Sequence, residues 1–368
     1  MGERAEGGEG RRQVLQEGHA RRLARGPHPG SGRPRRGDGR TRYREVLRRR
    51  EEYRELNRPK ASVVLLTLNA GPAFEDTLRA VFSQRTAFDF EVLVLDSGST
   101  DGTVEMAGRS GAHVHRTASS TFDHGAARDL GVSLSKGDFV ALLVQDAVPL
   151  DNLWLASMVE DLEADPSVAG VYGRQVPRPD SGPLARVLVE NAPTAGPARR
   201  VQSAGGTYET LAPPERRALA LFDNVSSCLR REVWEEIPFG QTGFGEDLRW
   251  GKRAVESGHK LVYEPRSAVV HSHERGPLYN LRRHYAEGLL LLDLFDLAPV
   301  PSLLVLLKNT LLASAHLTRR LLLLDEGSGW WALPLAVGYA VPSQLGLYLA
   351  ARRDGLPARL NAFLGKGV

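Results

Sequence analysis

Short apolar runs that end abruptly in polar residues constrain the fold of this chain more than any other feature. They are rich in β-branched residues, as expected of strands covered by helices on both faces, and three of them occupy residues 62–68, 90–95 and 139–144. Asn69, Asp96 and Asp146 closely follow these runs, the last within the stretch LLVQDAVP. Ligands of an open α/β sheet bind beyond the carboxyl ends of its strands. The sequence therefore predicts a ligand site in the loops after these strands.

Segments with helical spacing separate the apolar runs. Phe74, Leu78 and Val81 share one face of a helix over residues 74–82, and a second helix is expected over 123–135. This alternation predicts an α/β fold with parallel strands and crossover helices. Further strands are expected at residues 112–115, 168–176, 222–229, 260–263 and 268–270, and further helices at 231–236 and 246–257. Residues 177–215, rich in Pro, Gly, Ala and Arg, are expected to form a long loop or lid.

The first 58 residues differ in composition from the rest of the chain. They contain 17 Arg and 9 Asp or Glu, which gives this segment a net charge of about +8. We predict that residues 1–58 form a disordered basic tail, because they bury too little apolar surface to offset the ordering entropy. A short helix is compatible with residues 41–56. The tail either contacts anionic lipid or nucleic acid, or is a solvated segment or an artefact of an upstream start codon, and we favour the latter.

Cysteine content and the first residues of the chain give an expectation about its cellular compartment. The single cysteine, Cys228, excludes an internal disulfide, which fits a reducing compartment. No early stretch pairs a basic region with an apolar signal-peptide core. We therefore expect a cytoplasmic protein.

Residues 276–368 are rich in leucine and predicted to form a helical appendage to a domain at 59–275. Leucine dominates residues 289–297, 303–312 and 321–324, and prolines interrupt the apolar run at 331–351, so no stretch reaches the ~20 apolar residues of a clear membrane span. Apolar faces flanked by arginine, with the pair Trp330-Trp331, suit helices lying in a membrane interface. Helices packed on the domain or in a dimer explain the same pattern, and both readings stay open.

Two polar clusters follow the first strands. Thr67 and Asn69 close the first strand and Asp96 the second, an arrangement that suits a base and a ribose, although Asp-Ser-Gly is also ordinary turn chemistry. His124 and Arg128 lie one turn apart on the next predicted helix. The alternative for this second cluster is a solvated helix start.

Two further clusters carry acids and histidines. Asp146 is positioned to bind Mg²⁺ or Mn²⁺, which take carboxylates together with substrate phosphates, and a turn aspartate is the alternative. Glu246 and Asp247 begin a predicted helix, where a carboxylate is favoured by the helix dipole in any case. His271 and His273 follow the last predicted strand and could serve either as ligands or as structural residues.

Taken together and in order, these clusters resemble the family 2 glycosyltransferases of the GT-A fold, and within them the rhamnosyltransferase-like group. The resemblance covers residues 60–275 and is carried by seven blocks: SVVLLTLNAG (62–71), VLDSGSTDGT (94–103), FDHGAARDLGV (122–132), KGDFVALLVQDAVP (136–149), VYGRQVPR (171–178), FGEDLRWGKRAVESGHKLVYEP (244–265) and VVHSHE (269–274). It implies a GT-A domain with a mostly parallel sheet between helices.

The resemblance also implies roles for individual residues. Asp146 would stand in the Asp-X-Asp metal motif, whose second acid is replaced here by Ala147, so His271 or His273 is expected as an additional ligand of Mg²⁺ or Mn²⁺. Asp247 would be the general base, and Glu246 would hold the acceptor or the donor sugar. The residues implied to bind the nucleotide sugar are Thr67, Asn69, Asp96, Ser97, His124, Arg128, Gln145 and Arg174.

The expected activity is inverting transfer of a sugar, with rhamnose favoured, from a nucleotide diphosphate sugar to a saccharide or lipid-linked acceptor in cell-surface polysaccharide synthesis. The expected location is the cytoplasm or the inner face of the cell membrane. The lost second acid and the arginine-rich tail motivate an alternative, a non-catalytic GT-A-fold module attached to membrane or nucleic acid. A nucleotidyltransferase would need a Gly-rich basic loop after the first strand, which residues 69–72 lack.

Overall fold

The computed structural model describes residues 58–117, 123–205, 208–324 and 329–366 of the 368-residue chain. These residues belong to one compact unit that begins at Arg58. Apart from Arg58, the predicted basic tail and its short helix lie outside the described residues, so both stay predictions.

The described residues form an alternating series of strands and helices. The strands are β1 (Ala61–Thr67), β2 (Phe90–Asp96), β3 (His113–Arg116), β4 (Phe139–Val144), β5 (Val148–Pro149), β6 (Val168–Val176), β7 (Arg200–Gln202), β8 (Ser226–Arg230) and β9 (Lys260–Val270). The α-helices are α1 (Phe74–Phe82), α2 (Thr103–Arg109), α3 (His124–Leu134), α4 (Trp154–Ala164), α5 (Pro183–Glu190), α6 (Pro213–Leu219), α7 (Arg231–Glu236), α8 (Glu246–Glu256), α9 (Pro277–Phe295), α10 (Leu303–Leu324), α11 (Ala332–Ala350) and α12 (Ala358–Leu364).

The described strands form one sheet in the order β3-β2-β1-β4-β8-β6-β9-β5, with β7 paired to β9. Strands β3, β2, β1 and β4 are mutually parallel. Because β8 is antiparallel to both β4 and β6, and β9 is parallel to β6, the direction of the first four strands is resumed in β6 and β9. The predicted mostly parallel α/β sheet is therefore confirmed, and the first two strands end at the same edge as β4.

Helices cover both faces of this sheet. Val63 and Leu65 of β1 pack on one side in a cluster that contains Trp154 of α4. Val64 packs on the other side in a cluster that contains Trp250 of α8. All five side chains are buried, which explains why β1 is a continuous apolar run rather than an alternating one.

Residues 177–215 were predicted as a long loop or lid, and that prediction is wrong. Helix α5 and strand β7 lie within this segment, and helix α6 begins in it. Pro183 and Pro213 stand in the first turns of α5 and α6, where proline removes no helical hydrogen bond and its fixed φ favours the helix. The prolines that suggested a loop are thus helix starts.

Two strand boundaries also differ from expectation. Strand β8 begins at Ser226 rather than at residue 222, because Asp223 forms a turn in which its Oδ1 accepts a hydrogen bond from the Val225 amide (2.9 Å). The two short strands predicted around Pro265 are one strand, β9. It stays paired with β6 through a register shift between Gly173 and Arg174.

The predicted C-terminal helical appendage is confirmed. Helix α11 lies close to α9, since a Cβ added at Gly346 would come within 2.5 Å of the Leu281 carbonyl oxygen. Leucines along α10 stay exposed, with Leu304 at 79% and Leu311 at 70% of full accessibility. Among the described helices, the stretch Gly329–Ala350 is long and apolar enough to span a membrane, judged by length and composition alone, with a mean hydropathy of 1.2.

Candidate active site

Asp96 ends β2 beside Thr67, which ends β1 and pairs with it in register. The buried Asp96 carboxylate accepts hydrogen bonds from the backbone amides of Gly98 (3.0 Å) and Ser99 (2.9 Å) and from the Thr67 hydroxyl (3.1 Å). Burial opposes ionisation, but these bonds and one from the Ser99 hydroxyl outweigh it and hold the pKa of Asp96 below its ordinary value. Asp96 is therefore an ionised acceptor that shapes the loop after β2.

Asn69 joins the loops that follow β1 and β2. It lies in the left-handed region, with φ of 46°, which asparagine tolerates better than most residues. Its side-chain Oδ1 accepts a hydrogen bond from the Thr100 backbone amide (2.9 Å), and its backbone amide donates to Ser99 Oγ (2.8 Å). The Ser97 amide donates to the Thr67 carbonyl oxygen (2.9 Å). The structure thus brings Thr67, Asn69, Asp96 and Ser97 together, and their contact with a nucleotide stays a prediction.

Gln145 connects the ends of β1 and β4. Its Oε1 accepts a hydrogen bond from the Leu68 amide (2.8 Å), and its Nε2 lies 3.4 Å from the Leu68 carbonyl oxygen. The Gln145 carbonyl oxygen accepts from the Thr77 hydroxyl (3.0 Å). These contacts fix the backbone that presents Asp146, so the structure gives Gln145 a positioning role.

Asp146 faces His271 and His273 across the edge of the sheet. Its carboxylate oxygens lie 3.7 Å from His271 Nε2 and 3.5 Å from His273 Nε2. The short strand β5 produces this juxtaposition, because Val148 pairs with Val270 and so brings the end of β4 against the end of β9. The three side chains predicted to hold a metal therefore form one cluster, with one ligand atom of each within 4.8 Å of the others.

The chemistry of this cluster fits a divalent metal. Burial lowers the pKa of His271 to about 4 and lowers that of His273, so both imidazoles are neutral near pH 7, as ligands must be. His271 Nδ1 lies 3.0 Å from Gln175 Oε1, which directs Nε2 towards Asp146. Neighbouring ligands bound at about 2.1 Å lie about 3 Å apart, so small side-chain movements suffice. Imidazole nitrogens favour Mn²⁺ over Mg²⁺.

A second charged cluster lies where α3 and α8 meet. Arg128 Nη1 and Glu246 Oε1 form a buried ion pair at 2.8 Å. Asn224 Nδ2 also approaches Glu246 Oε1 (3.4 Å), and Arg128 Nη1 lies 3.4 Å from the His124 carbonyl oxygen. Burial lowers the pKa of His124. The resemblance implied that Arg128 contacts the nucleotide and that Glu246 contacts a sugar. In the structure, the two side chains form an ion pair with each other.

Asp247 follows Glu246 in the first turn of α8 and is partly accessible. Burial, followed by the negative charges of Glu246 and Asp223, raises the pKa of Asp247 to about 7. Its Oδ1 accepts a hydrogen bond from the Leu248 amide (2.7 Å). A carboxyl group that titrates near neutral pH has the property required of a general base.

Gln175, which the resemblance places beside the donor sugar together with Arg174, contacts Asp223, a residue that the sequence analysis missed. Gln175 Nε2 donates to Asp223 Oδ2 (2.6 Å), while Gln175 Oε1 contacts His271. Gln175 therefore links the histidine of the metal cluster to a carboxyl that raises the pKa of Asp247. Burial also raises the pKa of Asp223 itself. The weak signal in the sequence was the position of Gln175 in the block VYGRQVPR.

Arg174 lies next to Gln175 on β6, at the register shift with β9. Its Nε is buried and has no hydrogen-bond partner among the described residues. A buried guanidinium nitrogen without an acceptor is costly. Its contact with a donor sugar stays a prediction.

Comparison with known families identifies the domain that carries this geometry. Residues 62–211 match the family model described as Glycosyl transferase family 2. This region is a family 2 glycosyltransferase domain. The first five blocks that carried the resemblance lie within this match, whereas the blocks at 244–265 and 269–274 lie outside it.

Two curated glycosyltransferases are similar to this chain over most of their length. The O-antigen chain rhamnosyltransferase RfbN of Salmonella typhimurium is 29% identical over 62% of this chain and 71% of its own. The O-antigen chain rhamnosyltransferase WbaN of Salmonella anatum is 28% identical over the same shares. Among solved structures, the mannosyltransferase PcManGT of Pyrobaculum calidifontis, in complex with GDP-Man and Mn²⁺, aligns with a TM-score of 0.46 at 21% identity, covering 87% of this chain and 92% of its own.

Ala147 directly follows Asp146 and offers no ligand atom for a metal. Its side chain is fully buried in the cluster that contains Leu143 and Trp154. A carboxylate at this position would be desolvated in an apolar core at a cost of several kcal/mol or more. The histidines after β9 lie where they can complete the ligand set instead.

Proposed function

We propose that this family 2 glycosyltransferase is a metal-dependent, inverting hexosyltransferase. The observation that carries the proposal is that one domain contains both a candidate metal cluster and a candidate general base. The cluster is Asp146, His271 and His273, and the base is Asp247, whose pKa is raised to about 7. Gln175 contacts both His271 and Asp223 by hydrogen bonds, and the charge of Asp223 helps to raise the pKa of Asp247. Such a pairing is suited to a reaction in which a diphosphate leaves and a hydroxyl attacks.

On the donor side, the chain binds and orients a nucleotide diphosphate sugar. The loops after β1 and β2 receive the nucleoside, with Asp96 and Asn69 fixing their shape. Asp146, His271 and His273 would hold Mn²⁺ or Mg²⁺, and the donor set favours Mn²⁺. When bound, the ion supplies a positive charge that stabilises the leaving diphosphate.

On the acceptor side, Asp247 takes the proton of the attacking hydroxyl. Its raised pKa makes it a stronger base than an exposed aspartate while leaving it ionised above about pH 7. Glu246 is held by Arg128 and is positioned to orient a sugar hydroxyl. Attack in a single displacement inverts the anomeric carbon.

The similarity to two O-antigen chain rhamnosyltransferases makes rhamnose the first donor sugar to test. It also supports a saccharide or lipid-linked acceptor in the synthesis of a cell-surface polysaccharide. The exposed leucines of α10 support peripheral contact with the inner face of the cell membrane.

The test is donor binding by the full chain, measured by thermal shift and calorimetry with dTDP-rhamnose, GDP-mannose and UDP-glucose, each with and without Mn²⁺. We expect one nucleotide sugar to bind, and Asp146→Asn to weaken its Mn²⁺-dependent binding by about tenfold or more. Asp180→Asn is the matched control, since Asp180 is exposed.

Equal Mn²⁺-dependent affinity in Asp146→Asn and wild type would refute the metal assignment. Binding of a donor without turnover on any acceptor would favour the non-catalytic alternative.

A further inference from the structure

We propose that a cavity beside the metal cluster binds an anionic phosphate or diphosphate ester of the acceptor. The cavity has a volume of about 270 Å³ and lies between α5, the segment at residues 271–276, α9 and α11. His273 lines one end of it, so the cavity opens onto the cluster assigned to the donor. The inference rests on the proposed function, because it assigns the cavity to the second substrate.

Two arginines place positive charge in the wall of this cavity. Arg275 and Arg283 line it, and both are exposed. The Arg275 guanidinium stacks on Tyr279 (4.7 Å to the ring centre), and that of Arg283 stacks on Phe244 (4.4 Å). Within the described part of the chain, neither guanidinium forms an ion pair. Stacking fixes both groups while leaving their N–H donors available for a planar or tetrahedral anion.

The acids of the cavity are already engaged. Glu274 accepts a hydrogen bond from the Gly182 amide (2.8 Å). Glu287 also lines the cavity, and its Oε1 lies 3.5 Å from Nη2 of Arg217, which does not line it. Because Arg217 pairs with Glu287, Arg275 and Arg283 exceed the remaining carboxylate, that of Glu274, by one positive charge, which favours an anion.

The position of the cavity favours the acceptor over the donor. Arg283 reaches Phe244, three residues before the general base Asp247. The nucleoside loops, by contrast, follow β1 and β2. A phosphate held between Arg275 and Arg283 therefore places the group attached to it near both Asp247 and the metal cluster.

Buried apolar contacts connect one wall of the cavity to α10. Leu184 and Leu188 of α5 line it, and Val187 of the same helix packs against Leu317 of α10. Helix α10 carries the exposed leucines described above. A phosphate ester with an apolar chain fits this continuity better than free phosphate does.

The experiment measures binding of farnesyl diphosphate to the full chain by calorimetry, with inorganic pyrophosphate and farnesol as comparison probes. We expect farnesyl diphosphate to bind, and the double variant Arg275→Gln/Arg283→Gln to weaken it by about tenfold or more, the contribution of charge-assisted hydrogen bonds. The control is Arg282→Gln, because Arg282 stacks on Phe363 instead. The single variant Arg275→Gln keeps the test available if the double variant does not fold.

Pyrophosphate binding as tightly as farnesyl diphosphate, with the same loss in the variants, would support the anion site and assign it to the phosphate alone. Equal binding of farnesol, or unchanged binding of farnesyl diphosphate in the variants, would overturn the inference. Donor affinity measured with Mn²⁺ separates the two proposals. If the wild type binds a donor but not farnesyl diphosphate, this inference fails and the proposed function stands. If the wild type binds no donor, the proposed function itself is refuted.

Discussion

Burial and neighbouring negative charge raise the pKa of one carboxyl group, that of Asp247, into the range of a general base. Glu246 and Asp223 both add negative charge near it, and the Arg128 ion pair with Glu246 offsets this only in part. The folded chain therefore binds the Asp247 proton more tightly than the unfolded chain does. The same interactions that create a base near neutral pH thus reduce stability as the pH rises from about 4 to about 7, and the loss persists at higher pH.

We expect Asp247→Asn to lower turnover by about 10²–10⁴-fold and to stabilise the protein at pH 8. The cost of ionising Asp247 is absent below the unfolded pKa of about 4 and complete above the folded pKa of about 7. The variant should therefore exceed the wild type by a few kcal/mol at pH 8, up to about 4 for a pKa raised by about three units, and match it in acid. Urea unfolding across this pH range measures the difference.

The control for this prediction is Glu256→Gln, at the far end of the same helix, where the glutamate pairs with Lys252. Its effect on turnover should be small. A stability difference between Asp247→Asn and wild type that does not change with pH would contradict the raised pKa.

At the scale of elements, the site depends on how α8 begins. Its first residues, Glu246 and Asp247, follow Gly245, which has φ of 70°. A Cβ at Gly245 would lie 2.2 Å from Leu290 Cδ2 on α9. The start of α8 is thus set by a left-handed backbone conformation and by close contact with the C-terminal helices.

We expect Gly245→Ala to destabilise the protein by about 1–3 kcal/mol, through backbone strain and overpacking. It should also lower turnover, since the start of α8 carries the base. Gly243→Ala is the matched control, because a Cβ there meets no atom within 4 Å and the residue has no positive φ. Thermal unfolding and initial rates of both variants provide the measurement, and equal behaviour of the two would show that the α8 start tolerates displacement.

At the scale of the whole molecule, the helical appendage both supports the site and exposes an apolar surface. Helix α9 contributes Leu290 beneath Gly245 and Arg283 beside Phe244. Helix α10 exposes Leu304, Leu307 and Leu311 on one side. Such exposed leucines mark an interaction surface rather than a solvated one.

We expect the triple variant Leu304→Gln/Leu307→Gln/Leu311→Gln to reduce binding to phospholipid vesicles by about tenfold or more, since each buried leucine contributes about 1.5–3 kcal/mol. Co-sedimentation measures this loss. Leu150→Gln/Leu153→Gln is the control, because these leucines are similarly exposed before α4, at 54% and 53%. A wild-type dimer that becomes monomeric in the triple variant, with vesicle binding unchanged, would assign the surface to self-association instead.

The sequence by itself determined the elements whose pattern is local. Continuous apolar runs specified β1, β2 and β4, because strands covered on both faces exclude polar residues. The polar residues after them placed Asp96 and Asp146 at one edge, since parallel strands end together. The prediction failed at residues 177–215, where Pro183 and Pro213 begin helices, because proline at a helix start and proline in a loop look alike in sequence.

Only the tertiary structure decided which distant residues meet. Strand β5 pairs Val148 with Val270 and so brings Asp146 to His271. Pairing of β6 with β9 places Gln175 beside His271, and the turn before β8 adds Asp223. These contacts depend on strand order and register, which hydrophobic periodicity does not encode. The carboxyl that titrates near neutral pH is likewise a product of the fold, because burial and assembled charges raise its pKa.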